Sequence, residues 1–157
     1  MAAAAMLAVS GLANAADSPG GLKVTWESRW SEEAGNGDIV DHPPFVAVND
    51  VRLYRFSEMQ SVTYRDTLRI DHGDEGDERL YVFTVWQGGA SQGEQLMLLS
   101  VRNDGVAVIG PHFMEFERLT IEMVNSESAP YFAFVSADGA ILGAVDYVHG
   151  ELIEADQ

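Results

Sequence analysis

Residues 80–86 read Leu-Tyr-Val-Phe-Thr-Val-Trp, and this stretch decides the fold class. Both alternating sets of positions are apolar, with Leu80 and Val82 in one set and Tyr81 and Phe83 in the other. Residues 96–101, Leu-Met-Leu-Leu-Ser-Val, have the same character. A short apolar run without helical spacing is typical of a strand buried on both faces. The two stretches are therefore predicted to be central strands, or strands covered on both sides.

The segments around them alternate between apolar and polar residues, which is the period of a half-buried strand. Residues 22–30 and 62–70 are each predicted to form a strand with one solvent-exposed face. Between residues 113 and 124 the alternation changes phase, which predicts a β-bulge near Glu117 and Arg118. Residues 131–136 and 141–148 complete the clear series, and weaker candidates are 45–48 and 51–56.

These segments, with no capped helical stripe among them, favour an all-β fold. We expect a single antiparallel β-sandwich or barrel of about nine or ten strands. Asp104-Gly105 and Asp138-Gly139 each separate two apolar runs, and such a dipeptide is typical of a tight hairpin turn. The faint repeat predicts two successive hairpins of one sheet, and the alternative is a small propeller-like hairpin array.

The composition excludes several classes of function. The chain has 157 residues, 25 acidic and 9 basic, with a net charge of −16 and no cysteine. This length predicts one domain. The anionic surface argues against nucleic acid and anionic membranes as partners, and no cluster of basic residues is present. Without cysteine there is neither thiol chemistry nor a cysteine zinc site.

The N-terminal segment predicts export. Residues 1–15 carry no charge and end in Ala13-Asn14-Ala15, which resembles the apolar core and cleavage site of a secretory signal peptide. The basic residues that normally precede such a core are missing. The segment is too short to span a bilayer. We expect residues 1–15 to be a signal peptide and residues 16–157 a single β domain, periplasmic or secreted.

Two motifs suggest specific chemistry. Gly89-Ala90-Ser91-Gln92-Gly93 matches the nucleophile elbow of serine hydrolases, with Ser91 as nucleophile and His112 or His149 as base. The neighbouring segments are predicted to be antiparallel strands, whereas the elbow belongs on a parallel sheet, so this is a minor alternative. The enzyme question stays open, and non-catalytic action is favoured.

The second motif is the acidic run 71–78, which would offer oxygen ligands to calcium from Asp71, Asp74, Glu75, Asp77 and Glu78. Its spacing differs from that of an EF-hand. The alternative is a solvated acidic turn between two strands.

Aromatic residues are the remaining indication of function, because exposed flat rings suit sugars and apolar ligands. The candidate ligand-binding residues are Trp26, Trp30, Trp86, His42 and Phe45. We expect non-catalytic binding of a small ligand, a glycan or an envelope protein. The alternatives are a calcium-stabilised recognition domain, a serine hydrolase that uses Ser91, and a structural or assembly component of the cell envelope.

Overall fold

A computed structural model describes residues 14–17, 21–55, 58–89, 93–112, 120–125 and 130–155. Within these ranges the chain forms fourteen strands, a short 3-10 turn at Gly73–Glu75 and no α-helix. The strands are β1 (Asn14–Asp17), β2 (Lys23–Glu27), β3 (Trp30–Glu33), β4 (Ile39–His42), β5 (Phe45–Val48), β6 (Val51–Arg55), β7 (Ser61–Asp71), β8 (Asp77–Trp86), β9 (Gln95–Arg102), β10 (Gly105–His112), β11 (Thr120–Asn125), β12 (Pro130–Val135), β13 (Ile141–Val148) and β14 (Glu151–Glu154).

Twelve of these strands form three antiparallel sheets of four strands each. The first sheet has the order β1-β2-β5-β6, the second β10-β9-β8-β7 and the third β11-β12-β13-β14. The remaining two strands, β3 and β4, pair with each other and with no other described strand, as a hairpin inserted in the chain between β2 and β5.

The apolar residues form two cores on opposite faces of the second sheet. The first core joins the first and second sheets and includes Val24, Phe83 and Leu99. The second core joins the second and third sheets and includes Leu98 and Phe132. Consecutive residues of β8 and β9 therefore enter different cores. This confirms the prediction that residues 80–86 and 96–101 are central strands covered on both sides.

The all-β class is confirmed, but the predicted single sandwich or barrel of nine or ten strands is not. The described strands form four sheets, and none of these sheets closes into a barrel. The second and third sheets are four-stranded meanders, as in a hairpin array, whereas the first is interrupted by the inserted β3–β4 hairpin. However, no core of the described residues joins the first sheet to the third. The three large sheets therefore form a stack and not a ring.

The predicted strand 62–70 crosses from one core to the other. Val62 belongs to the first core and Leu68 to the second, although both have the same parity in sequence. The pairing of β7 with β8 shifts between Tyr64 and Asp66, which places an extra residue, Arg65, in β7. Such a bulge reverses which face the following side chains occupy. The expectation of one wet face along this strand was therefore wrong.

The predicted strand 22–30 is divided in two. β2 ends at Glu27 and β3 begins at Trp30. Between them the Ser28 hydroxyl lies 3.2 Å from both the backbone N and O of Val62, and the backbone N–H of Arg29 donates to Gln60 O at 3.0 Å. These bonds to the start of β7 replace strand pairing at residues 28 and 29.

Both Asp-Gly dipeptides lie at hairpins, as predicted, but in different sheets. Asp104 is in the turn from β9 to β10 of the second sheet, and Asp138 is in the turn from β12 to β13 of the third. Two other hairpin turns consist of two residues that both have positive φ. The φ values are 48° and 65° for Asn49-Asp50, and 50° and 89° for His149-Gly150. The expectation of two hairpins in one sheet was wrong. The predicted bulge near Glu117 and Arg118 lies outside the described residues.

Candidate functional site

The residues of the acidic run do not converge on one point. Glu78 is buried, whereas Asp74 lies exposed in the 3-10 turn. The other three have separate partners: Asp71 Oδ1 accepts the N–H of Gly73 at 2.8 Å, Asp77 pairs with Arg69 at 2.6 Å, and Glu75 lies 3.6 Å from Arg102. Over the described ranges, no group of three His, Asp or Glu side chains could hold a metal ion.

We therefore expect calcium to leave the melting temperature unchanged. A cation that binds only the folded state raises stability by mass action, by about 2.7 kcal/mol at a hundredfold excess over its dissociation constant. The measurement is a thermal melt of the chain in chelator and then in calcium, with the Asp74→Asn variant as the control for the loop. A calcium-specific rise that Asp74→Asn abolishes would contradict this expectation.

Glu78 lies at the centre of a buried polar network between the second and third sheets. Its Oε1 accepts hydrogen bonds from the hydroxyls of Ser100 on β9 and Tyr147 on β13, each 2.5 Å long. Its Oε2 lies 2.7 Å from His72 Nε2. These distances are typical of hydrogen bonds to a charged carboxylate. The network joins two layers of the stack through one side chain.

The network shifts two pKa values. Burial acts to raise the pKa of Glu78, but the hydrogen bonds from Ser100, Tyr147 and His72, together with the charge of His72, outweigh it. The pKa of Glu78 therefore lies below its ordinary value of 4.5. Burial and the bond to Glu78 raise the pKa of Tyr147. The carboxylate oxygens are engaged within the protein, which suits a structural link between sheets.

The candidate hydrolase residues are not brought together by the described part of the chain. Ser91 lies outside the described residues, in the connection between β8 and β9, which pair as an antiparallel hairpin. His112 is on β10, and its Nε2 is buried with no hydrogen-bond partner among the described residues. His149 is an exposed turn residue with φ 50°. The setting of Ser91 between antiparallel strands differs from the nucleophile elbow, in which the serine lies between a strand and a helix.

The five candidate ligand-binding residues fall in four places. Trp26 is buried in the first core, where its ring stacks on that of Tyr64 with centroids 4.9 Å apart. Trp86, at the end of β8, is 36% exposed. Trp30 and His42 lie together on the β3–β4 hairpin, and Phe45 lies on β5. Trp30 and His42 contact each other.

The β3–β4 hairpin is held by contacts between its own side chains. The rings of Trp30 and His42, which are opposite in register, stack with centroids 3.9 Å apart and planes 9° from parallel. His42 Nε2 lies 3.0 Å from Glu32 Oε1, and Arg29 pairs with Asp41. A two-stranded hairpin alone is marginally stable in water, and these contacts stabilise this one.

The far part of the same hairpin exposes apolar side chains. Ile39 is 70% exposed and Val40 is 39% exposed. Acidic residues surround them, since Glu32, Glu33 and Asp38 are all exposed. Ile39 and Val40 are neighbours on β4, so their side chains point to opposite faces of the hairpin, and their partners across the hairpin are Glu33 and Glu32. Each face therefore combines one exposed aliphatic side chain with a carboxylate.

A cavity of about 250 Å³ lies on the outer face of the first sheet, on the side opposite the first core. We call it the outer-face cavity, and its lining residues are Lys23, Thr25, Phe45, Ala47, Asp50 and Arg52. The guanidinium of Arg52 lies over the ring of Phe45, 4.3 Å from its centroid. Among the candidate ligand-binding residues, Phe45 therefore lines a cavity together with charged side chains.

Several residues of these sites were missed in the sequence. Ser100 and Tyr147 complete the Glu78 network from other strands, and Lys23 and Arg52 reach the outer-face cavity from β2 and β6. No local motif marks residues that meet only through sheet pairing. One signal was present, because Lys23 is the only lysine of the chain.

Comparison of the chain with protein-family models, with curated proteins and with solved structures found no match in any of the three. The described residues form an all-β structure of three large sheets, with an exposed hairpin and a small charged cavity. Across the described ranges we also find no helix that is long and apolar enough to cross a membrane.

Proposed function

We propose that this protein is an exported, non-catalytic recognition domain that binds an envelope or secreted protein through the β3–β4 hairpin. The observation that carries the proposal is the exposure of Ile39 and Val40 on a hairpin that no other described strand pairs with. Exposed aliphatic residues on such an element add little to the fold. They gain free energy when a partner covers them.

The charge of the hairpin indicates the chemistry of the partner. Glu32 and Glu33 flank the exposed aliphatic residues, and the whole chain carries a net charge of −16. Complementary charge speeds association and selects among partners. The partner surface is therefore an apolar patch with lysine or arginine at its rim.

Export rests on the sequence of residues 1–15. Cleavage after Ala15 would leave Ala16 and Asp17 of β1, an edge strand of the first sheet. Because β2 also pairs with β5, the rest of that sheet keeps its ladder after processing.

The test is photo-cross-linking in the source cells. A photoreactive phenylalanine analogue replaces Ile39 in one variant and Ile141, which is 63% exposed on the third sheet, in a matched variant. We expect a discrete adduct from position 39 and none from position 141. The cross-linked partner peptide should combine apolar residues with lysine or arginine, and the mass of this chain in the adduct should show that residues 1–15 have been removed.

A charge reversal supplies the second arm. Glu33→Lys, on the hairpin, should reduce the adduct severalfold, whereas Glu151→Lys, on β14, should leave it unchanged. Equal cross-linking from positions 39 and 141, or no adduct from either, would overturn the role of the hairpin. An adduct that retains residues 1–15 would overturn export alone.

A further inference from the structure

The outer-face cavity is a depression formed by two small side chains in the middle of a sheet. Thr25 on β2 and Ala47 on β5 are opposite in register and lie at its floor. Arg52 on β6 is opposite Ala47 and, with Phe45, forms one wall. Larger residues around two small neighbours leave space for a small molecule.

The opposite wall is fixed by the turn between β5 and β6. Asn49 Oδ1 accepts the backbone N–H of Lys23 at 2.9 Å, and the N–H of Asn49 donates to Lys23 O at 2.8 Å. These two bonds hold the Asn49-Asp50 turn against the start of β2. Lys23 and Asp50 therefore line the cavity from a backbone that is already ordered.

Lys23 and Arg52, the two basic residues that line the cavity, differ from most other basic residues of the chain in their ion pairing. Arg29, Arg65, Arg69 and Arg102 each have a carboxylate within 4.0 Å. Among the described side chains, which do not include that of Asp17 opposite Lys23, no carboxylate pairs with Lys23 or Arg52. The guanidinium carbon of Arg52 lies over the Phe45 ring, and this contact does not use the N–H donors of the guanidinium. A guanidinium edge is suited to a carboxylate, which it can bind with two parallel hydrogen bonds.

We propose that the outer-face cavity binds a small carboxylic acid that also carries a hydroxyl or amino group. The carboxylate lies between Arg52 and Lys23, and the hydroxyl or amino group donates to Asp50. The volume of about 250 Å³ is below that of sites for drug-sized ligands, so the ligand is of the size of a simple hydroxy or amino acid. This site is separate from the β3–β4 hairpin and does not depend on the function proposed for it.

The test is an NMR titration of the full chain with L-lactate and with L-alanine, and with lactamide as the neutral analogue of lactate. We expect saturable shifts at the backbone amides of Lys23, Ala47 and Arg52 with at least one of the two acids. Lactamide should give none, because it lacks the carboxylate. Whichever acid binds identifies the second group as hydroxyl or amino.

Two variants test the geometry. Arg52→Gln should weaken binding at least tenfold, whereas Arg65→Gln, a matched loss of charge on β7, should leave it unchanged. Ala47→Leu fills the floor of the cavity and should abolish binding, with the dispersed amide spectrum showing that the chain remains folded.

The proposal is overturned if neither acid gives saturable shifts at these amides, or if lactamide binds as tightly as lactate. Equal weakening by Arg52→Gln and Arg65→Gln would overturn it as well, because the effect would then follow from net charge and not from the cavity. Failure of this test leaves the cross-linking result at Ile39 unaffected.

Discussion

Leu98→Ala and, in a separate variant, Leu99→Ala should each lower the free energy of unfolding by about 2–5 kcal/mol. The two leucines are neighbours on β9, and both are fully buried. Leu98 packs in the second core and Leu99 in the first. If one face of β9 were exposed to solvent, only one of the two adjacent substitutions would lower the free energy of unfolding strongly. Two large decreases therefore indicate a sheet that is covered on both sides.

Urea unfolding of the two variants beside the wild-type chain measures this effect. Val106→Ala is the control, because Val106 lies on the edge strand β10 of the same sheet and is 38% exposed. This variant should lower the free energy of unfolding by less than about 1 kcal/mol. If either leucine variant matched the Val106 variant, one face of the second sheet would be open to solvent and the three-layer stack would be wrong.

The parts of the fold that could be predicted from the sequence depend on local pattern. The apolar runs at residues 80–86 and 96–101 identified the central strands. A strand that is buried on both faces has apolar residues at successive positions, whereas a strand with one exposed face alternates between apolar and polar residues. The bulge at Arg65 was missed, although Asp66 interrupts the apolar alternation of Val62, Tyr64 and Leu68 at that point. The sequence shows which residues are apolar, and only the pairing with β8 shows which core each one enters.

The turns show the same limit. Asp138-Gly139 fits a turn by residue type alone, and Gly139 has the positive φ, 86°, that glycine allows. Asn49-Asp50 adopts positive φ at both positions without a glycine. Asn and Asp tolerate this conformation, but they also occur in many other loops, so the dipeptide alone is a poor predictor of a hairpin.

The candidate sites were predicted less completely than the fold. The acidic run was treated as one unit, yet the structure separates it. Strand alternation turns Glu78 into the space between sheets, while Asp77 points the other way and meets Arg69. The stacking of Trp30 on His42 depends on the register of β3 with β4. The outer-face cavity required three strands to be aligned, and no single segment carries that information.

The second large effect is expected at Glu78. Glu78→Ala should lower the free energy of unfolding by about 3 kcal/mol, because it leaves the hydroxyls of Ser100 and Tyr147 without their acceptor between the sheets. Tyr147→Phe removes one donor and should cost about 1.5–3 kcal/mol. Asp74→Ala is the control, since Asp74 is exposed in the turn before β8 and the variant should change the free energy of unfolding by no more than about 0.5 kcal/mol. Equal stability of the Glu78 and Asp74 variants would show that the network contributes nothing to the fold.

The pH dependence of the same contribution has a definite sign. The folded-state pKa of Glu78 lies below its ordinary value of 4.5, so the folded chain binds the proton less readily than the unfolded chain does. The stabilisation by the ionised carboxylate is therefore complete above about pH 4.5 and is lost as the pH falls through the folded-state pKa.

Glu78→Gln carries no charge at any pH and cannot show this loss. We expect the difference in unfolding free energy between wild type and Glu78→Gln to be constant from neutral pH to about pH 5 and to shrink at lower pH. Urea unfolding at a series of pH values measures it, and subtraction of the two curves removes the titration of the other carboxylates. A difference that grew as the pH fell would mean that the pKa of Glu78 is higher in the folded chain than in the unfolded chain, with burial outweighing its three hydrogen-bond donors.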